Sequence, residues 1–202
     1  QERILKDLDT KSSSEILEEL DSDDAADLVG DLPEDRAKAV IRSLGDEVSI
    51  ELEKLLPYPD DTAGGIMALE FVSVRADETV QDAIDSIRES GKEVENLYYI
   101  WVIDDHGRLL GVISVKDLVI ESPDAKISDV MNREVISVNA GADQEEVVQL
   151  VKRYDLVNIP VVDDRNRMVG RITYDDIIDV MEDEADEDMS LMAGVIAQEI
   201  TE

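Results

Sequence analysis

The sequence predicts an α+β multidomain protein: an N-terminal all-α superhelical array, then a tandem pair of β-α-β-β-α domains, then a C-terminal connecting helix. Three observations carry this expectation. From Ser12 to Pro57 a short helical unit recurs. From Leu69 onward a strand-helix-strand-strand-helix pattern occurs twice at a constant offset of 59 residues. Between Asp175 and Asp188 an apolar helical stripe coincides with a dense run of carboxylates.

The helical units are "SSSEILEELDS", "SDDAADLVGDLPED", "PEDRAKAVIRSLGDE" and "DEVSIELEKLLP". Each opens on a Ser, Asp or Pro-Glu-Asp cap signal and closes on Leu before a turn. Helices of two or three turns cannot bury an apolar face alone, so successive ones must stack. The array is expected over residues 1–57, and a linker over 58–67, where Pro57 and Pro59 stop the helix. In that linker Gly64 and Gly65 are expected to allow backbone geometry closed to other residues.

The first β-α-β-β-α copy is expected over 68–124 and the second over 125–181. Asp104 and Asp163, Gly111 and Gly170, Ser114 and Thr173, and Asp117 and Asp176 all pair at the same offset. Each copy places a hairpin at Asp104 to Gly107 or Asp163 to Asn166. A second strand then runs into a helix capped by Ser114 or Thr173. In the last stretch, Tyr174, Ile177, Ile178, Met181 and Ala185 form the apolar stripe of a helix. Asp176, Asp179, Asp183 and Glu187 fall on another face, where like charges at i, i+3 and i+4 repel. Such a face is either solvated or built for a cation.

Composition narrows the chemistry. The 202 residues carry 51 Asp plus Glu against 19 Lys plus Arg, for a formal charge of -32. That charge argues against nucleic acid or an anionic membrane surface as partner. No cysteine and a single histidine, His106, exclude thiolate sites and any histidine-rich zinc or copper site. Oxygen-only ligation of a hard cation, magnesium or calcium, remains. The Asp-x-Asp-x-Asp-Gly spacing of a calcium loop is absent. An enzymatic reading has little support: His106 sits in a hairpin turn without a nucleophile beside it in sequence, and there is no phosphate loop. The competing explanation of the charge is a salt-adapted surface. That predicts uniform acidity, whereas no Lys or Arg follows Arg171 and several precede it.

The elements Gly111-Val112-Ile113-Ser114-Val115-Lys116-Asp117 and Gly170-Arg171-Ile172-Thr173-Tyr174-Asp175-Asp176 resemble the signature of cystathionine beta-synthase (CBS) domains. The whole order is similar to the cytosolic part of the MgtE family of magnesium channels and transporters: a helical array, "YPDDTAGGIM", tandem CBS repeats, and an acidic helix running into "EDMSLMAGV". This resemblance implies that 182–202 is an acidic connecting helix leading to a membrane domain beyond this chain. It also implies that the chain works on the cytoplasmic side of a membrane, and that CBS pairs associate into a homodimer.

The same resemblance implies that magnesium is bridged by Asp23 and Asp27 of the array and by backbone near Gly65. In the second repeat it implicates Asp143, Glu145 and Asp155. On the connecting segment it implicates Asp176, Asp179, Glu184, Glu187 and Asp188. Glu145 can equally be a helix-cap residue, and Asp23, Asp24 and Asp27 can equally serve the dipole at a helix start. CBS family members also bind adenosine nucleotides such as ATP, for which Ser114 with Asp117 and Thr173 with Asp176 are the matching positions. Asp176 is claimed by both readings. Tyr98, Tyr99 and Trp101 can line an adenine pocket or can be core or dimer contact.

Overall fold

The computed structural model describes residues 9–30, 32–91, 94, 96–182 and 185. Four short helices come first: α1 (Thr10–Leu17), α2 (Ser22–Gly30), α3 (Glu34–Ile41) and α4 (Asp46–Leu55). The sequence places the first cap at the serine run, but α1 begins two residues earlier. Asp9 caps it by accepting a 2.8 Å hydrogen bond from the Ser12 N–H. A carboxylate at the N-cap outcompetes the later serines because it also neutralises the helix dipole.

Two three-stranded sheets follow, built alike. The first contains β1 (Ser73–Arg75), α5 (Val80–Ser90), β2 (Tyr99–Ile103), β3 (Leu109–Ser114) and α6 (Val115–Ile120). A short helix, α7 (Ile127–Val130), leads to β4 (Val138–Asn139), α8 (Gln144–Tyr154), β5 (Asn158–Val162), β6 (Met168–Thr173) and a final helix, α9, at 174–182. In each sheet the first strand runs parallel to the second and the second antiparallel to the third. The registers obey the repeat: Trp101 faces Val112 as Pro160 faces Arg171. Both hairpins turn through a left-handed residue, Gly107 in one and Asn166 in the other. In both, an aspartate (Asp104, Asp163) accepts two backbone N–H bonds across the turn, which hold its carboxyl below the ordinary value.

The repeats interlock. The Leu109 N–H donates to the Asn166 carbonyl at 3.0 Å, and the Met168 N–H donates to the Gly107 carbonyl at 2.9 Å. Lead-in segments are exchanged as well: Asn132, near the start of the second repeat and ahead of β4, exchanges backbone hydrogen bonds with Val112 of the first. Ala68, at the start of the first repeat and ahead of β1, does the same with Arg171 of the second. These segments are themselves related, Met67-Ala-Leu-Glu70 matching Met131-Asn-Arg-Glu134. The exchange explains the signature glycines. A Cβ on Gly111 would stand 2.8 Å from the Asn132 carbonyl, and one on Gly170 would stand 2.7 Å from the Ala68 carbonyl.

The segment 58–67 is docked against the second repeat. Ala63 and Gly64 donate to the carbonyls of Ala142 and Ala140 at 2.8 Å each, and Gln144 donates to Asp61 at 3.0 Å. Neither Gly64 nor Gly65 has a positive φ, so the glycine requirement here is one of space and not of handedness. A Cβ on Gly65 would press into the Pro59 carbonyl, and one on Gly64 into the Tyr58 ring. One contiguous apolar cluster joins array and second repeat, running from Leu17, Val29, Leu52 and Leu55 through Met67 to Val147, Ile159 and Ile177. The first repeat has its own cluster around Val74, Ile100 and Ile113. Trp101, Leu109, Val162 and Met168 close the seam between the repeats.

Gly170→Ala is expected to destabilise the protein by about 1–3 kcal/mol, because the Ala68 carbonyl, and not only the flexible Met67 side chain, opposes the new methyl. In thermal unfolding that is a drop of several degrees. An unchanged Tm would mean that the lead-in segment can move aside.

Candidate functional site

A cleft of about 450 Å³ lies where three separate segments meet. Helix α2 brings Asp23, Asp24 and Asp27, the docked segment brings Asp60 and Asp61, and α9 brings Asp176 and Asp179. Gln144, Gly30, Ile66 and Val180 complete the lining, and none of the lining side chains is basic.

Local folding explains each contribution. Ala25, Ala26 and Val29 turn one side of α2 into the shared core, which leaves Asp23 and Asp27, one helical turn apart, on another side. The α9 helix begins with a cap in which the Thr173 N–H and hydroxyl both donate to Asp176 Oδ2, at 2.7 and 2.6 Å. The apolar stripe expected on α9 is only partly the buried one. Ile177 and Val180 are buried, whereas Tyr174 and Ile178 are exposed. The helix is rotated so that Val180, and with it Asp176 and Asp179, faces the cleft.

Electrostatics single out Asp23. Burial, and then the charge of Asp176, push its carboxyl up to about 8, and its Oδ1 is buried without a hydrogen-bond partner. Burial also raises Asp176, opposed by its two bonds from Thr173. Asp23 and Asp24 lie in the first turn of α2 and Asp176 in that of α9, where the helix dipole suits negative charge. The donor set is all oxygen, which fits a hard cation. Among the described residues no three carboxylates converge closely enough to form a ready-made metal cage. That spacing suits an ion that keeps part of its water shell.

The structure thus brings Asp23, Asp27, Asp176 and Asp179 together as the sequence suggests, and adds Asp24, Asp60 and Asp61. The signal for the last two was the Asp-Asp pair inside "YPDDTAGGIM", beside the glycines that press this segment against its neighbours. Gly65 supports the turn that carries Asp60 but is not itself part of the lining. Asp143, Glu145 and Asp155 also lie outside the lining. Asp143 caps α8 through the Glu145 N–H at 2.8 Å, and Asp155 is its left-handed C-cap. Glu184, Glu187 and Asp188 lie outside the described residues.

In the first repeat, Ser114 and Asp117 satisfy each other: the hydroxyl donates to Asp117 Oδ2 at 2.6 Å and accepts from the Asp117 N–H at 3.1 Å. Both motif copies therefore act as helix caps in this state. A second, smaller cleft of about 160 Å³ lies between the repeats, lined by Tyr99, Trp101, Val112, Glu134, Leu156 and Pro160 among others. Tyr98 is not part of that lining. Tyr99 and Trp101 stand tilted with centroids 6.1 Å apart.

A helical array docked on an interlocked CBS pair, with an acidic cleft at the junction, defines a multidomain CBS protein. Sequence comparison agrees. The MgtE intracellular N domain matches residues 1–61, and the CBS domain matches 63–124 and 127–183. The chain belongs to the MgtE family of magnesium transporters and corresponds to its helical N domain and CBS pair. It is 44% identical over 152 residues to the magnesium transporter MgtE of Enterococcus faecalis, spanning 75% of this chain and 34% of that protein. It is 42% identical over 145 residues to the Thermus thermophilus transporter, spanning 72% and 32%. The chain therefore spans about a third of the length of these relatives. The crystal structure of the soluble part of a magnesium transporter superposes with a TM-score of 0.86 at 38% identity, covering 91% of this chain and 72% of that one. The cytosolic domain of the Mg2+ channel MgtE in complex with ATP superposes at 0.80 with 36% identity, covering 89% and 78%. No helix among the described residues is long and apolar enough to cross a membrane.

The Asp23 carboxyl sets a pH dependence. Folding raises it from 3.8 to about 8, so the folded chain binds the extra proton. Its favourable contribution is complete below the ordinary carboxylate value and is lost as pH rises through about 8. In chelator, Tm is expected to fall between about pH 5 and pH 8. Asp23→Asn should flatten that fall and raise Tm near pH 8 by roughly 2–4 °C. A variant profile parallel to the wild type would contradict the assignment.

Proposed function

We propose that this chain is the magnesium-sensing cytosolic region of a magnesium channel or transporter. The observation that carries the reading is one cleft lined by seven carboxylates from three separate segments, one of which has a buried oxygen without a partner. Two unit charges about 4 Å apart at an effective dielectric of 20 repel by roughly 4 kcal/mol, and several such pairs oppose the docking of the array. A divalent cation supplies the positive charge that converts this repulsion into bridging. The carboxylates of α2 and α9 then hold the array against the second repeat, and Asp60 and Asp61 close the site from the docked segment. Saturation to about 100 times the dissociation constant favours the docked form by about 2.7 kcal/mol per site, so a few sites give a steep response.

Helix α9 leads in sequence toward 182–202, including Glu184, Glu187 and Asp188, which in this reading carry the change toward a membrane domain and favour pore closure. The region acts as a regulator and not as a catalyst, on the cytoplasmic side of the membrane, with a two-fold dimer formed through the CBS pairs.

A second reading adds an adenosine nucleotide, favoured by the ATP complex of the relative and by the aromatic cleft beside β2. Tyr99 and Trp101 would take the base. Ser114 and Asp117 would exchange their mutual cap for contacts to phosphate and ribose. Thr173 and Asp176 serve the acidic cleft, which disfavours a polyphosphate there.

Small-angle scattering across a magnesium titration tests the main reading, with potassium at matched ionic strength as control. The radius of gyration is expected to fall at millimolar magnesium and not with potassium. Asp176→Asn with Asp179→Asn should flatten the response. An untouched response in that double variant would overturn the assignment of the cleft. ATP added alone separates the second reading: stabilisation by ATP with no magnesium response would favour a nucleotide sensor.

A further inference from the structure

Arg171 is the charged residue with the least evident reason for its place. It sits in the middle of β6, is 2% exposed, and leaves both terminal guanidinium nitrogens without hydrogen-bond partners. The fold does not require it, because the repeat-related position on β3 is Val112, in the same register against β2. Burying an arginine is costly unless its N–H groups are used, so a reason is needed at this position and not at the other.

The bonds it does make lead directly to the acidic cleft. Arg171 Nε donates to the Glu70 carbonyl at 2.6 Å. The Glu70 carboxylate accepts from the Ser22 hydroxyl at 2.8 Å and from the Ser22 N–H at 3.2 Å. Ser22 Oγ in turn accepts from the Leu69 N–H at 2.8 Å. One short polar path thus joins the second repeat, the lead-in to the first repeat, and the first residue of α2. Its two ends lie beside the buried acids of the cleft. Ser22 adjoins Asp23 in sequence, and Arg171 lies two residues before Thr173, whose N–H and hydroxyl hold Asp176.

We propose that Arg171, Glu70 and Ser22 form a polar tie that positions Asp23 against Asp176, setting their spacing before any cation is bound. The proposal rests on the magnesium-sensing reading above and adds the residues that prepare its site. The three are positioning residues, since none of them lines the cleft. The repeat-related Glu134 borders the open cleft between the repeats, whereas Glu70 is engaged by the array. The tie therefore also explains why the two halves of the CBS pair are used differently.

The chain has no cysteine, so spin labels can be placed at will. Labels at Ala39→Cys on α3 and Glu121→Cys after α6, both exposed, report the distance between array and first repeat by electron paramagnetic resonance during a MgCl2 titration. Ser22→Ala and Arg171→Val are each expected to raise the magnesium midpoint roughly fivefold. The double variant should behave like the worse single one, since the two residues act through the same path. Arg171→Lys, which keeps a donor and the charge, should recover most of the loss. Emission from Trp101, buried in the seam between repeats, checks that the CBS pair stays intact. If Arg171→Val fails that check, Ser22→Ala with Glu70→Gln takes its place in the cycle. Variant curves that superimpose on the wild type, or effects that multiply independently, overturn the tie. A wild-type distance that ignores magnesium sinks the sensing reading instead. The tie then stands if that distance is still shorter than in the variants, and falls if it is not.

Discussion

The structure depends on an opposition between apolar burial and like charge at one junction. The cluster from Leu17 and Leu52 to Ile159 and Ile177 draws the array onto the second repeat. The cleft beside it gathers seven carboxylates that resist the same approach. Apolar attraction is short-ranged and insensitive to ions, whereas the carboxylates respond to pH and counter-charge. A junction held by the first and opposed by the second is poised, and its position can be set by what the acids meet. Asp23 expresses this most sharply: it is buried far enough to favour its protonated form, yet one of its oxygens is left with nothing to bond.

Much of the architecture was legible because it was written twice. The 59-residue offset identified the hairpins, the caps and the glycines in pairs, and the paired registers of the two sheets follow it. The reason for the glycines was not legible. Nothing local to Gly170 reveals that the Ala68 carbonyl, about a hundred residues earlier in the chain, passes over it. Gly64 and Gly65 were read as backbone permissiveness and are steric clearances, a distinction visible only once Tyr58 and Pro59 fold back on them.

The site was legible in part for a similar reason. Asp23, Asp27, Asp176 and Asp179 stood out as acids on helix faces with apolar neighbours. Asp60 and Asp61 lie in a linker with no helical face to mark them, and only docking of their segment through Ala63, Gly64 and Gln144 brings them to the cleft. Tyr174 and Ile178 were counted into the buried stripe of α9 by periodicity alone. Helical spacing gives the relative angles of side chains but not the rotation of the helix against its neighbours, and here Val180 decides that rotation. The burial of Arg171 was not legible, because nothing local to β6 shows that the Glu70 carbonyl, about a hundred residues earlier in the chain, receives its Nε.

The exchanged lead-in segments have a consequence for synthesis. Met67 and Ala68 leave the ribosome long before β6, the strand they complete, and Val112 of β3 must likewise wait for Asn132. Neither sheet finishes its edge from its own repeat: β3 is completed once Asn132 has emerged, whereas the Ala68 lead-in stays unpaired until β6 has been translated. Pairings so distant in the chain make folding slower than the short helices alone would suggest. They also mean that a chain cut between the repeats loses an edge on both sides of the cut, so the pair folds as one unit.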